Sequence, residues 1–534
     1  MNNHCVNVGS TRRAAWSLAA GMLVLLSGLA PVRAELPPAV VSLFSLGAGQ
    51  GWALDGPEFT ARAGAALNGD CDFNGDGYVD LLIGALGAGP NDQGTAFVVF
   101  GSSAGATPPP SLNNAGLRLL GEQSGDEAGA SVACAGDVDA DGFDDMLIGA
   151  PFADSFGASS GTAYLVYGGE SLPFSIGLGT LTASTGMRIN GVVAGQRLGG
   201  TVAGGGDVNG DGYADVLLTG PNFSATSSNP GQAYVIFGSA SLPASFALAT
   251  LNGSNGFAVN STSASTLSLG VAAVLGDING DNYPDVVLGA PLASPGAVAS
   301  AGSVFVVFGH GGGFPALIGL NTLNGSTGFE IDGVVGGGKL GGSLGFVSIS
   351  DFNGDGRADL VLGAPGAANG TSSTGHAYLL FGAPIFPAVL SLASLNGSNG
   401  LALTSAATGD VLGNRVAGLF DVNGDGLGEV ILGAPGADFG VTDAGGAYVV
   451  YGRRSGLPAD FLLSALNGSN GFRIQGAVGF DAAGQTVCRA GDLNRDGFAD
   501  LVVGVPEADP NATQAEGRVY AIFGNDLIYR DGFN

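Results

Sequence analysis

Short apolar triplets recur along the chain at intervals of about seventy residues: Leu81-Leu82-Ile83, Met146-Leu147-Ile148, Val216-Leu217-Leu218, Val286-Val287-Leu288, Leu360-Val361-Leu362, Val430-Ile431-Leu432 and Leu501-Val502-Val503. Runs this short, continuous and often β-branched predict strands buried on both faces. Most end in Gly-Ala-Pro or a near variant, as at Gly149-Ala150-Pro151 and Gly433-Ala434-Pro435, where proline stops the ladder. A further strand follows each, as in Gly161 to Gly168 and Gly375 to Gly382, and then one that alternates apolar and polar residues, as in Gly471 to Gly476. A segment rich in Gly, Ala and Val, such as Gly129 to Gly136, precedes each triplet. Its small side chains suit a crowded strand near an axis.

Between that inner strand and the apolar triplet lies a nine-residue acidic pattern, D-x-[DN]-x-D-[GN]-x-x-[DE]. It opens at Asp72, Asp137, Asp207, Asp277, Asp351, Asp421 and Asp492, with spacings of 65, 70, 70, 74, 70 and 71 residues. One sustained period is the signature of a propeller, solenoid or array. Four strands per repeat, seven times over, predict an all-β fold, a seven-bladed β-propeller, because radial repetition protects the edges of such sheets. A solenoid would need capping repeats. The ends agree with a ring. The seventh repeat has its third strand, Gly517 to Gly524, and then ten residues; Gly51 to Gly56 is an outer strand without a blade of its own. The N-terminal strand is therefore expected to complete blade seven and close the ring.

The acidic loops carry candidate metal chemistry. A hard cation such as Ca²⁺ takes six to eight oxygens from carboxylates, amides, carbonyls and water. Positions 1, 3, 5 and 9 supply side-chain oxygens, and position 7 a backbone carbonyl. Loop one offers Asp72, Asn74, Asp76, Tyr78 and Asp80; loop two offers Asp137, Asp139, Asp141, Phe143 and Asp145. Loop three offers Asp207, Asn209, Asp211, Tyr213 and Asp215; loop four offers Asp277, Asn279, Asp281, Tyr283 and Asp285. Loop five offers Asp351, Asn353, Asp355, Arg357 and Asp359; loop six offers Asp421, Asn423, Asp425, Leu427 and Glu429; loop seven offers Asp492, Asn494, Asp496, Phe498 and Asp500. Position 6 is glycine six times and Asn282 once, as a left-handed turn requires. An EF-hand or dockerin would put a ligand at position 12, but that position is Ile83, Ile148, Leu218, Leu288, Leu362, Leu432 and Val503. Metal-free turns stabilised by Asp and Asn are the competing reading. It leaves several carboxylates converging unpaired, which repel. Up to seven Ca²⁺ ions are expected.

Charge supports this. Lys and Arg total 17 against 45 Asp and Glu, a net charge of −28 over 534 residues, and 22 of those acids are loop ligands. The balance argues against nucleic acid and anionic membranes as partners, since both demand a basic face. With 12% charged and 45% hydrophobic residues, the chain lacks the composition of disorder. Residues 1–34 read as a signal peptide: Arg12 and Arg13, an apolar stretch from Ala14 to Leu29, and the small Ala34 at a cleavage site. Residues 35–525 would be the propeller and 526–534 a short tail. No other long apolar run is present, so the mature chain is expected to have no transmembrane segment and to be exported, whether extracellular, at the cell surface or periplasmic. Beyond Cys5, Cys71, Cys134 and Cys488 remain, and the sequence leaves their pairing open.

Inner strand, D-x-N-G-D-G-x-x-D, apolar run, G-A-P and G-x-x-Y-V-x-x-G together resemble the FG-GAP repeat of the integrin α N-terminal propeller and of many secreted bacterial proteins. The match runs from about residue 40 to 525. It departs at the Phe of the family name, where Ala128, Leu198, Leu412 and Ala483 stand. The resemblance implies Ca²⁺ in inter-strand loops and a role in adhesion or ligand recognition, with an extracellular protein or glycan as partner. Nothing resembles the leg domains, transmembrane helix or inserted adhesion domain of an integrin, so a free-standing propeller is expected.

Catalytic patterns are weak. His376 lies in a recurring strand, and His310 is the other histidine outside the signal. G-x-S-x-G matches centre on Ser103, Ser159 and Ser343 without a strand–turn–helix context. Gly333 to Lys339 begins like a P-loop, but Leu340 replaces the Ser or Thr. The chain is expected not to be an enzyme. The alternatives are a calcium-dependent enzyme acting on extracellular glycans and a lectin-like glycan binder. Loops between second and third strands, such as Asp154 to Ser160, Asn222 to Pro230 and Gly366 to Thr374, fall on the face opposite the acidic loops, where a ligand is expected. Asn-Gly-Ser at Asn252, Asn324, Asn396 and Asn467 reads as a turn first and a glycosylation sequon second.

Overall fold

Seven antiparallel sheets follow one another along the chain in a computed structural model. It describes residues 40–47, 49–102, 111–114, 116–221, 231–260, 269, 271–342, 351–369, 372–405, 407–510 and 515–524. The signal segment, the 526–534 tail, Ser103, Ser343 and the 222–230 loop lie outside the described residues. Blade two shows the common plan. Its strands are Ser131–Gly136, Asp145–Ala150, Thr162–Val166 and Gly186–Asn190, paired antiparallel in that order. In blade five the second, third and outer strands are Leu360–Ala364, His376–Leu380 and Gly400–Thr404; its inner-strand position falls outside the described residues. The chain folds as a seven-bladed β-propeller.

The continuous apolar triplets are explained by their two neighbours. In blade two, Met146 and Ile148 pack with Leu82, Val98 and Leu117 of blade one. Leu147, between them, packs with Val216, Leu218 and Tyr234 of blade three. Successive side chains point to opposite faces of a strand, so a sheet sandwiched between two others needs an apolar residue at every position. Asp145–Ala150 is buried throughout.

Closure follows the predicted route. Gly51–Asp55 pairs antiparallel with the third strand of blade seven, Arg518–Ile522, in the register Gly51 to Ile522 and Asp55 to Arg518. Leu54 is fully buried and packs with Leu81, Ile83 and Val519, so one strand joins the first and last blades. Arg518 Nε donates to Asp55 Oδ1 at 2.6 Å, and Arg489 Nη2 lies 3.3 Å from Asp70 Oδ2 across the same junction.

A further strand covers the outer edges. On its way to each outer strand the chain first runs parallel to the outer strand of the preceding blade. Ser175–Gly177 adds to blade one, Ser245–Phe246 to blade two, Leu317–Gly319 to blade three and Val389–Ser391 to blade four. Asp460–Leu462 adds to blade five and Val40–Ser42 to blade six; a single bridge from Asp55 to Ser111 does the same for blade seven. A 3₁₀ turn follows each time, opening on a buried leucine: Leu43, Leu112, Leu178, Leu248, Leu320, Leu392 and Leu463. The four strands of each blade are thus capped by a fifth, which occupies an edge that would otherwise expose unpaired backbone groups.

Cys71 and Cys134 form a disulfide between the inner strands of blades one and two, with Cα atoms 6.1 Å apart. Cys488 is a buried free thiol, and burial pushes its pKa up to about 12.

Leu54→Ala removes a fully buried side chain at the ring junction and is expected to cost about 2–5 kcal/mol in urea unfolding. Ala53→Ser, at an exposed position of the same strand, is expected to stay within about 0.5 kcal/mol.

Candidate metal centres

Where both strands are described, the acidic loops are hairpins between the inner and second strands, and all seven loops share one hydrogen-bond scheme. The first-position carboxylate accepts from the backbone N–H groups of positions 5 and 6; in loop one Asp72 accepts from Asp76 at 3.0 Å and Gly77 at 2.7 Å. The fifth-position carboxylate accepts from the N–H of position 7, as Asp76 does from Tyr78 at 2.8 Å. Position 6 is left-handed in every loop, from φ 70° at Asn282 to 97° at Gly142. Positions 1 and 3 are half-buried and position 5 exposed, while position 9 is buried in every loop. The predicted ligands of each loop are therefore brought to one turn, with a gradient from solvent to core.

Position 9 is the hub. Asp80 accepts from Phe73 N–H and Gly101 N–H, both at 2.9 Å. The same pair of bonds recurs at Asp145, Asp215, Asp285, Asp359 and Asp500. One donor is the second residue of the loop itself. The other is the glycine that ends the third strand of the blade. The next residue along reaches back to the preceding loop: Gly169 N–H donates to Phe73 O, Ser239 to Val138, His310 to Val208, Ala383 to Ile278 and Arg453 to Phe352, at 2.8–3.0 Å. In blades two to six the turn that holds the ninth-position carboxylate is thereby tied through a backbone bond to the loop before it.

Burial works against the charge of these carboxylates. Burial pushes Asp80, Asp215 and Asp359 up to about 7, and Asp145, Asp285 and Asp500 to about 8; the two backbone donors oppose this, and neighbouring loop carboxylates add to it. Glu429 is raised for the same reasons. A buried charge is costly unless paired. Three loop carboxylates lie within 4.8 Å of one another in loop two, at Asp137, Asp139 and Asp145, and in loop six, at Asp421, Asp425 and Glu429. Hard oxygen donors, converging, anionic and short of positive charge, fit a divalent cation such as Ca²⁺. Asp and Asn at positions 1, 3, 5 and 9 would hold it, and the ion would supply the missing counter-charge.

The loops also touch one another in a way the sequence left unread. Position 7 was read for its backbone carbonyl alone. Its side chain instead lies over position 4 of the preceding loop: a Cβ on Gly75 would come 2.5 Å from Phe143 Cε1. Tyr283 lies over Gly210 and Phe498 over Gly424 in the same manner. Position 4 is left-handed in every loop, at φ 59° for Ala140 and 55° for Arg495 where glycine is replaced. Arg495 in loop seven stacks on Tyr78 of loop one, 3.4 Å from the ring centroid, and donates to Gly77 O. The signal was present as an aromatic residue at position 7 in five of the seven loops.

The remaining candidates sit elsewhere. His376 Nδ1 is 3.3 Å from Tyr378 Oη, and burial lowers the histidine pKa. His310 stacks on Phe314 at 4.1 Å. Ser159 lies in a turn where its N–H donates to Asp154 Oδ1. At Asn252, Asn324, Asn396 and Asn467 the side-chain oxygen accepts from the N–H and hydroxyl of the serine two residues on, the turn that the sequence predicted.

A family model for the FG-GAP repeat matches seven times, at residues 63–99, 128–166, 198–236, 269–307, 345–380, 412–450 and 483–522. Among curated proteins, the chain is 26% identical over 427 residues to the phosphatidylinositol-glycan-specific phospholipase D of Bos taurus, covering 74% of this chain and 46% of that protein. It is 36% identical over 168 residues to integrin alpha-E of Mus musculus, covering 30% of this chain and 13% of the integrin. With integrin alpha-4 of Xenopus laevis it shares 31% over 151 residues, 28% of this chain and 13% of the relative. The chain spans less than half the length of each of these relatives.

The raised carboxylates give a pH signature. Above the ordinary carboxylate range and up to about pH 7–8, the folded metal-free chain holds protons that the unfolded chain has released, so stability falls as pH rises through that window. In EDTA the melting temperature is expected to be higher at about pH 5 than at about pH 8. A bound cation keeps the carboxylates ionised, so in calcium the order is expected to reverse. Parallel curves with and without EDTA would refute the assignment.

Proposed function

The chain belongs to the FG-GAP repeat family, and on that premise we propose that it is an exported, calcium-loaded propeller acting as an adhesion or ligand-recognition scaffold rather than as an enzyme. Calcium supplies rigidity by neutralising the buried ninth-position carboxylates, which in blades two to six lie beside a backbone tie to the preceding loop. The disulfide between Cys71 and Cys134 supports an oxidising compartment outside the cytosol. Among the described residues, no helix is long and apolar enough to cross a membrane.

The observation that carries the recognition reading is the face opposite the acidic loops. Connections from second to third strand, and from outer strand to the next inner strand, leave the blades at that end. They expose Phe59, Phe156, Val193, Val478 and Phe480, with Phe480 73% and Phe156 66% exposed. Large apolar groups carried on loops of a rigid scaffold suit ligand contact at that face. The extracellular or surface ligand, a protein or a glycan, is read there, and the metal loops act from the far side by fixing the blades.

Phe156→Ala and Phe480→Ala touch exposed side chains and are expected to leave the melting temperature unchanged. Adhesion of the immobilised chain to extracellular matrix proteins and glycan arrays is expected to fall at least about tenfold in the double variant. Undiminished adhesion in that variant would remove this face from the reading.

A further inference from the structure

The acidic loops are not separate around the ring; each is built into the one before it. The side chain at position 7 lies over position 4 of the preceding loop at six of the seven junctions. The N–H of position 8 adds a direct bond to the carbonyl oxygen of position 1. Ala499 of loop seven donates to Asp421 of loop six at 3.2 Å, and Asp144 of loop two to Asp72 of loop one at 3.3 Å; loops three and six make the same bond at 3.1 and 3.2 Å. Positions 7 and 8 stand between ligand positions 5 and 9 of their own loop, while positions 1 and 4 carry or flank ligands of the other. In loop seven Asp496 accepts from Phe498 N–H at 3.0 Å, and the Phe498 ring covers Gly424, between Asn423 and Asp425 of loop six. The Phe498-Ala499 pair is therefore a strut that belongs to two candidate metal sites. Loop one closes the circuit: Tyr78 stacks with Arg495 of loop seven, and Arg495 donates to Gly77 O.

Resting on the reading that these loops hold calcium, we propose that neighbouring sites fill cooperatively, each ion strengthening binding in the preceding loop through the strut at positions 7 and 8. An ion held by positions 5, 7 and 9 fixes the side chain and the N–H carried between them. Those groups hold positions 1 and 4 of the preceding loop in its ligand-bearing turn. Linkage makes the effect mutual. Its sign separates the device from plain electrostatics. Two dications on adjacent loops repel, so without the strut an empty neighbour would tighten binding. The coupling is expected to be weaker between loops three and four than between loops six and seven, because position 8 of loop four is Pro284, which has no N–H to donate.

The test is hydrogen–deuterium exchange of the full chain across a calcium titration, read by mass spectrometry on peptides spanning loops six and seven. Asp496→Asn removes a ligand carboxylate from loop seven but keeps an oxygen to accept from Phe498 N–H. It is expected to weaken loop seven and also to raise the calcium midpoint for protection of loop six at least about fivefold. With both strut contacts removed, by Phe498→Ala and Ala499→Pro together, adding Asp496→Asn is expected to move the loop-six midpoint less than about twofold. Phe498→Tyr, which installs the residue type of loops one, three and four, is expected to retain the full shift. Asp141→Asn in loop two, read on loop one with Phe143→Ala and Asp144→Pro as the strut variant, repeats the test if the loop-seven variants fail to fold. A loop-six midpoint that stays put or falls in Asp496→Asn, or a shift that survives loss of the strut, overturns the proposal while leaving the loops as metal sites. No calcium-dependent protection of any loop in the wild type overturns the underlying reading as well.

Discussion

A carboxylate buried at the ninth position of each loop is the constraint on which the rest of this propeller depends. It lies where a blade's second strand begins, and it accepts hydrogen bonds from two separate parts of its own blade. In blades two to six a backbone bond beside those donors links the turn to the preceding loop. A group so placed organises three chain segments at once, but as an anion it pays desolvation for doing so. The loop's other acids increase that cost. A cation among them would convert the most expensive group of each blade into a joint. The large negative charge of the chain is, on this account, mostly a set of sockets.

The joints stand near the axial end of each blade; the periphery is held differently. There each blade lends a short parallel strand and a buried leucine to its predecessor. Between these two zones, alternate residues of each sheet pack into opposite neighbours. No blade therefore completes its own core or its own edge, and the N-terminal strand joins the ends by the same logic. With the hub face fixed in this way, the connections on the opposite face are free to differ in length and composition, as an interaction surface requires.

Much of this was legible in the sequence. The seven-fold period, the four strands, their order and the closure by Gly51–Asp55 all follow from apolar triplets and turn residues, since each is dictated by local chemistry repeated seven times. The fifth strand was missed because three residues such as Ser175–Gly177 carry no alternation to read; the recurring leucine after it was the available sign. The stacking of Phe143 over Gly75 was also missed. Within one repeat, position 7 looks free, and its partner lies a full period earlier. At the metal centres the ligand types and spacing could be read, but the burial of position 9 could not. Asp80 and Asp76 are the same residue type in one turn, and only the packing of the third strand against one of them sets them apart.

The central claim is that the buried ninth-position carboxylates are metal ligands and not merely turn formers. Native mass spectrometry of the chain after exchange into calcium tests it most directly, alongside Asp285→Asn. The account expects up to seven calcium ions on the wild type and one fewer on the variant. An ion-free wild type, or an unchanged count in Asp285→Asn, would contradict it.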